Sequence, residues 1–448
     1  MDVIICGGGD IGSSAAQLLA AAGDAVTIIE SDDDCAESLG EHLDVALVNG
    51  SASSAEILRR AGVERAHAVI ATTAVDEVNL VICALAHALG AQRTMARVDH
   101  SGFLRDTTLD FVSIFGVGRL FSPDRAMARS MAARLRNPEA RGIEQFGGGI
   151  EMQQLNVDAS ASVCGERLRD IRMPRGIRLA ALTRDGRTRL PTADTRLLAD
   201  DLVLLVAEQD TIEDAHTLLG RAAFGRRQVA IYGSGPSTLW LCRMLGRAAF
   251  DIRLFEPDRE RAEVLSEQLE DVTVLCSDPA RPEVFDDEHL ERVDAFVSTG
   301  TDEQNLLACG YAARMGVPQV MPVLHRDEFA PLLERLGITE TFNPRLAAVR
   351  EIQRFLHTTT FEPLDVFEDD ALQLIRTTLG EKSPLAGQTL RDVHIAPPVV
   401  IAAAELHDGT AFVPGPDTAL VAGRRIMAIA DPKDEQYVRT LFDVGDAP

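Results

Sequence analysis

Two apolar rhythms alternate along this chain. Short, mostly apolar runs at 3–5, 25–29, 45–48, 68–71, 94–98 and 111–114 read as strands. Runs of this kind suit strands buried on both faces. Between them, residues 32–43, 55–61 and the segment leading to about 89 space their apolar positions as helices do. Strand alternating with helix predicts an α/β fold, a Rossmann-like doubly wound parallel sheet. From 122 to 135 a further helix carries Arg125, Arg129 and Arg134 beside Met127 and Met131. It is read either as a solvated charged face or as a helix leaving its lobe to pack on another subunit. The rhythm then breaks at Gly147-Gly148-Gly149, which suggests a hinge.

Residues 153–208 change character. Alternating segments at 154–157, 178–183 and 201–206 flank turns such as Arg184-Asp185-Gly186-Arg187, which predicts a small α+β lobe. Gly165-x-x-Leu168-Arg169-Asp170 reads as a helix start, and 210–226 as a helical linker.

The whole pattern then repeats. Gly233-Ser234-Gly235 follows a strand at 229–232 and stands 226 positions after Gly7-Gly8-Gly9, as Glu256 does after Glu30. Ser298-Thr299-x-x-Asp302-Glu303-x-Asn305 repeats Thr72-Thr73-x-x-Asp76-Glu77-x-Asn79. Phe342-Asn343-Pro344-Arg345 echoes Phe121-Ser122-Pro123, and Gly387-x-x-Leu390-Arg391-Asp392 echoes the motif at Gly165. His407-Asp408-Gly409 mirrors Arg184-Asp185-Gly186. The chain is a tandem duplication of a parallel-sheet N-lobe and a small C-lobe, expected at 1–140, 150–210, 227–355 and 366–448.

Candidate chemistry centres on Gly7, Gly9 and Gly12, a G-x-G-x-x-G turn between strand and helix. The first glycine permits a tight turn, the second lets a pyrophosphate approach the backbone, and the third lets helix and strand pack closely. Gly8, Asp10 and Ile11 belong to the same turn, whose helix N-terminus favours phosphate. Glu30 ends the second strand, where an acid accepts hydrogen bonds from a ribose. Ligands of such sheets lie beyond the carboxyl ends of the strands. That rule gathers the glycine turn, Glu30, Asn49, Thr72, Thr73, Asp76 and Arg97 around one crevice. Glu30 is followed by Ser31-Asp32-Asp33-Asp34, which disfavours a 2′-phosphate and hence NADP. NAD and ATP are not separated by these residues. Arg97 is read either as a phosphate partner or as one half of an ordinary ion pair. In the second copy Gly233, Gly235 and Glu256 survive. Thr238 replaces the third glycine, Pro236 enters the helix start, Val323 replaces Arg97, and Cys276 replaces Asn49 with a gap of one. Weaker or different binding is expected there.

The net charge of −25 argues against nucleic acid and against adsorption to anionic lipid. It suits a partner with a basic cytoplasmic face. No apolar run approaches the ~18 residues of a membrane span, and because residues 3–5 already read as a strand no signal sequence is expected. Seven cysteines without C-x-x-C read as reduced, mostly buried thiols of a cytoplasmic protein. No catalytic set and no metal cluster is expected. A dehydrogenase would need an acid–base residue near the cofactor. His394 and His407 are the small-lobe candidates, and His325 reads as structural.

A tandem of G-x-G-x-x-G, terminal acid, N-G, T-x-x-D-E-x-N and A-R-V closely resembles the TrkA family, built of RCK or KTN domains, over essentially the whole chain. The resemblance implies a cytoplasmic, peripheral, non-catalytic regulatory subunit beneath a membrane potassium channel or transporter. It implies rings of N-lobes, as homo-oligomers such as dimers or tetramers, and NAD(H), and often ATP or ADP, as ligands. It places Gly7, Gly9, Asp10, Ile11 and Gly12 at the phosphates, Glu30 at the ribose, and Asn49, Gly50 and Ser51 toward the adenine end. Thr72, Thr73 and Arg97 would face the rest of the crevice. A dehydrogenase and a nucleotide sensor for another membrane partner stand as the alternatives.

Overall fold

The structure is a computed structural model that describes residues 1–105, 108–136, 141–146, 149–220, 225–246, 249–356, 360–363, 371–393, 395, 398–406 and 410–444. Two compact units emerge: Met1–Ala132 with Arg226–Leu356, and Ala133–Gly225 with His357–Pro448. The two N-lobes therefore share one unit and the two C-lobes the other.

The first N-lobe runs β1 (Asp2–Cys6), α1 (Asp10–Ala21), β2 (Ala25–Glu30), α2 (Asp33–His42), β3 (Ala46–Asn49), α3 (Ala55–Arg60), β4 (Ala68–Ala71), α4 (Asp76–Ala88) and β5 (Thr94–Arg97). It closes with α5 (Gly102–Arg105), α6 (Phe111–Phe115), β6 (Arg119–Phe121) and α7 (Pro123–Arg136). Its six strands are parallel, in the order β3-β2-β1-β4-β5-β6. Val3 and Ile5 enter the core on one face of the sheet, Ile4 and Cys6 the core on the other. That two-sided burial explains the unbroken apolar runs.

The segment 111–114 is not a strand. Asp110 caps α6 by accepting from the Ser113 N–H, and Gly116 ends it in the left-handed region. Ile114 is 58% exposed. An exposed one-turn helix and a short buried strand have the same apolar composition, and only the cap distinguishes them. The sixth strand is β6.

The first C-lobe holds β7 (Arg141–Phe146), β8 (Ile150–Asn156), β9 (Ile177–Arg184), β10 (Arg187–Arg189), β11 (Leu202–Glu208) and α8 (Ile212–Leu218). Its sheet is antiparallel, ordered β10-β9-β11-β8-β7. Two expectations change here. The stretch at Gly165 forms turns rather than a helix, tied by a bridge between Arg167 and Arg196. The segment read as a linker is part of the lobe, because Ile212, Ala215 and Leu219 are buried in its core. Of the predicted hinge, Gly147 and Gly148 lie outside the described residues, as do His394 and the 407–409 turn.

The second N-lobe repeats the plan with β12 (Arg227–Tyr232), α9 (Pro236–Leu245), β13 (Phe250–Phe255), α10 (Arg259–Gln268), β14 (Thr273–Leu275), α11 (Pro282–Asp287), β15 (Ala295–Ser298), α12 (Asp302–Arg314), β16 (Gln319–Pro322), α13 (Ala330–Arg335) and α14 (Pro344–Leu356). Its parallel sheet is ordered β14-β13-β12-β15-β16. The second C-lobe has β17 (Thr360–Pro363), β18 (Gln373–Thr378), β19 (Val400–Glu405), β20 (Ala411–Phe412), β21 (Arg425–Ala430) and α15 (Glu435–Phe442).

The N-lobes interlock through their last helices. Ala348, Val349 and Ile352 of α14 join Ile11, Ala15, Ala16 and Leu19 of α1 in one core. Arg119 binds Glu351 at 2.8 Å, and Arg93 donates to the Leu356 carbonyl while lying 4.2 Å from the Phe355 ring centroid. In return Arg125 of α7 lies over Trp240 of α9. The arginine-bearing helix thus packs on the second copy within the same chain, where a solvated face or a second subunit was expected. The C-lobes also share a core, in which Met152, Leu204 and Val206 meet Leu374, Ala402 and Met427. Arg178 donates across it to the carbonyls of Ile401 and Pro414. Arg178→Met leaves both carbonyls without that donor and is expected to cost about 2 kcal/mol of C-lobe stability, read from urea unfolding.

Candidate functional site

The first glycine turn is shaped by what each glycine meets. Gly7 has φ +102 and turns the chain where a Cβ would lie 3.1 Å from the Thr73 nitrogen. At Gly12 a Cβ would fall 1.9 Å from the Gly7 carbonyl oxygen. At Gly9, the N-cap of α1, a Cβ would meet open space. The turn is therefore packed on its inner side and empty on its outer side, the side a phosphate approaches.

Glu30 is already held. Its carboxylate accepts from the Gly8 N–H and the Ser31 N–H at 2.6 Å and from the Asp32 N–H at 2.9 Å. Burial alone would raise its pKa. The backbone donors of Asp32, Gly8 and Ser31 outweigh burial and hold the carboxyl below its ordinary value. A lowered folded-state pKa means that the charged form stabilises the fold. That contribution is full above the unfolded value of about 4.3 and is lost as pH falls through the folded value. Glu30→Gln is expected to lower stability at neutral pH and to flatten the acid limb below the ordinary carboxylate value of about 4.3 in urea-midpoint measurements.

Several motif residues make hydrogen bonds within the lobe. Thr72 is buried and donates to the carbonyls of Cys6 and Gly7, bracing the turn. Asp76 accepts from the Asp99 and His100 N–H groups, and Asn79 bonds Thr73 and the Arg97 carbonyl. Both residues hold strand ends in place. The side chain of Asn49 donates to Asp33. Both oxygens of Asp99 accept from Arg97, at 3.0 and 2.6 Å.

A crevice of about 770 Å³ opens at the carboxyl ends of the first sheet. Gly7, Gly9, Asp10, Ile11, Glu30, Gly50, Ser51, Thr72, Thr73 and Arg97 line it. Gly8, Gly12, Asn49 and Asp76 are not among the residues that line it. Its opposite wall comes from the second N-lobe, through His325, Asn343, Pro344 and Arg345. Sequence reading missed this second wall. The signal was the repeated aromatic-x-Pro corner, which begins α7 and α14 alike and carries them onto the neighbouring lobe. His325 itself is bonded to Asp302 at 3.0 Å.

The second glycine turn is differently furnished. Gly233 keeps the left-handed conformation and Gly235 keeps open space beside it. Thr238, fully buried, places its hydroxyl 2.6 Å from that of Thr299. Pro236 begins α9, and the Ser237 hydroxyl donates to Asp124 of the first lobe. Glu256 is buried and accepts from the Asp258 N–H, while Cys276 is exposed and near the Pro257 carbonyl. Val323 is buried where the first lobe has Arg97.

Among the described residues no helix is long and apolar enough to cross a membrane, and no cluster of three or more potential metal ligands occurs. All seven cysteines are free, four of them buried, and burial pushes the Cys83 thiol up to about 12.

Fold and crevice define a tandem Rossmann-like protein with two interlocked parallel-sheet lobes and paired antiparallel small lobes. The TrkA-N domain model matches residues 3–112 and 229–344, and the TrkA-C domain model matches 152–220 and 374–443. The chain belongs to the TrkA family. A "Trk system potassium uptake protein TrkA homolog" of Archaeoglobus fulgidus is 29% identical over 444 residues, covering 99% of this chain and 100% of the relative. The "Trk system potassium uptake protein TrkA" of Azorhizobium caulinodans is 26% identical over 461 residues, covering 99% of each. The crystal structure of the GsuK RCK domain aligns with TM-score 0.59 at 18% identity, over 99% of this chain and 95% of that one. The structure of the GsuK channel bound to NAD aligns at 0.60 and 18%, over 99% and 79%.

Proposed function

We propose that this chain is the nucleotide-binding regulatory subunit of a membrane potassium uptake system and that its first crevice takes NAD(H) or an adenine nucleotide. One observation carries the reading: a glycine turn packed at Gly7 and Gly12 but open at Gly9, with Glu30 bonded to its Gly8 N–H, lining a crevice of nucleotide size. The names of its relatives and their full-length match support the potassium role. GsuK structures carry NAD in one case and ADP in another. The chain works without catalysis, on the cytoplasmic face of the membrane beneath a channel or transporter subunit, as a homo-oligomeric ring.

Gating requires that the ligand prefer one conformation over another. The chain passes between its two units near residues 132, 225 and 356, so ligand in the first unit acts on the second through these passages. NAD(H) and ATP differ in length and charge, which supplies a basis for unequal preference.

The test is calorimetric titration of the whole protein with NADH, NAD, ATP, ADP and NADPH, repeated with Gly9→Asp. Because a Cβ at Gly9 meets open space, that variant keeps its fold while placing a carboxylate where phosphate approaches. The expected result is micromolar binding of NADH or ATP that falls by roughly tenfold or more, about 1.4 kcal/mol or more, in the variant. Substrate-dependent oxidation of NADH would make the protein an oxidoreductase, and absence of all binding would remove the gating model.

A further inference from the structure

The last helix of each N-lobe begins at a corresponding corner, Phe121-Ser122-Pro123-Asp124 and Phe342-Asn343-Pro344-Arg345. The residue after proline differs in charge, and each corner reaches the other lobe. Arg345 lines the first crevice with Gly9 and Asp10. Asp124 lines the same crevice and accepts from Ser237 in the first turn of α9.

The direction of α14 puts Arg345 at the phosphate end. Arg93, just before β5, holds the carbonyl of Leu356, so the last turn of α14 lies at the amino edge of the first sheet. Its first turn therefore lies at the carboxyl edge, beside the start of α1. The two crevice guanidiniums are not equally committed. Arg97 is closed by both oxygens of Asp99. Arg345 is steadied by Asp327 at 2.8 Å through one terminal nitrogen, while its Nε is buried and has no hydrogen-bond partner. A buried N–H of this kind calls for an acceptor.

We infer that the second lobe completes the first crevice with Arg345, which pairs with the terminal phosphate of a nucleoside di- or triphosphate. This rests on the reading of the first crevice as a nucleotide site and adds its specificity. A guanidinium matches a free phosphate's several oxygens, whereas the bridging phosphates of a dinucleotide offer one charge each and are tied at both ends. Arg345 is thus the residue that separates ATP and ADP from NAD.

The experiment titrates the full chain with ATP, ADP, AMP and NAD, as wild type, Arg345→Ala and Arg345→Lys, with a thermal melt of each. Arg345→Ala is expected to weaken ATP and ADP about tenfold and AMP and NAD less than twofold. Arg345→Lys keeps the charge and is expected to recover most of the ATP affinity. Equal losses for ATP and NAD, or unchanged ATP affinity in a folded Arg345→Ala, would overturn the assignment. Wild-type protein that binds NAD but neither ATP nor ADP would overturn this inference and leave the nucleotide reading standing. Wild-type protein that binds none of the four would overturn both.

Discussion

Gly12→Thr is expected to lower nucleotide affinity about a hundredfold and to destabilise the first N-lobe by about 2–3 kcal/mol. The added Cβ would stand 1.9 Å from the Gly7 carbonyl oxygen and the Thr72 hydroxyl 2.9 Å away. Neither neighbour is a free-swinging chain end. Gly7 is backbone in a left-handed turn, and Thr72 is buried and bonded to the carbonyls of Cys6 and Gly7. The turn must lift from α1, which carries Gly9 away from the crevice wall. The second lobe shows what such a turn needs in compensation. There Thr238 occupies the same position, its hydroxyl paired with Thr299, whose own hydroxyl bonds the Tyr232 carbonyl rather than also reaching the glycine. Calorimetry and urea unfolding of Gly12→Thr beside Gly9→Asp separate the effects. Gly9→Asp should lose binding with little loss of stability, and Gly12→Thr should lose both. A Gly12→Thr protein with wild-type stability would show that the turn is softer than its packing indicates.

The same contrast marks what was legible in the sequence. Two-sided strands, the glycine turn and the repeat were readable because each leaves a local pattern: unbroken apolar runs, fixed glycine spacing and a 226-residue offset. The short α6 was misread because its apolar residues are of mixed burial, Val112 and Ile114 facing outward, and its cap is a single aspartate. The helix 212–218 was taken as a linker because a helix covering a small sheet and a helix joining two domains have the same period. Within the crevice, the residues contributed by β1, α1, β2 and β4 followed from strand ends. His325 and Arg345 did not, because they arrive from another lobe more than 200 positions away, and no local pattern encodes that crossing. The acids and amides of the repeated T-x-x-D-E-x-N motif were legible as a unit, yet their role was not. Sequence ties them to the crevice, whereas hydrogen bonds assign Asp76 and Asn79 to its scaffold.

That scaffold role makes Asn79→Leu the largest expected stability loss, about 3–5 kcal/mol. Asn79 is fully buried. Its carbonyl oxygen accepts from the Thr73 N–H at 2.9 Å and the Thr73 hydroxyl at 2.7 Å, and its amide donates to the Thr73 carbonyl at 2.9 Å and the Arg97 carbonyl at 3.0 Å. One side chain thereby ties the exit of β4 to the end of β5. Leucine fills a similar volume but leaves one backbone donor and two backbone acceptors without these partners, each costing about 1–3 kcal/mol when kept from water. Partial exposure of Thr73 moderates the total. The repeat supplies an internal control. Asn305 makes the corresponding bonds to the Gly300 N–H, the Gly300 carbonyl and the Val323 carbonyl, so Asn305→Leu should cost a similar amount. The two differ in function. Thr73 and Arg97 line the first crevice, so Asn79→Leu should weaken nucleotide binding in protein that remains folded, whereas Asn305→Leu should leave that affinity within about twofold. Equal effects of both variants on binding would mean that the second N-lobe shapes the first crevice as strongly as the first lobe's own strand ends do.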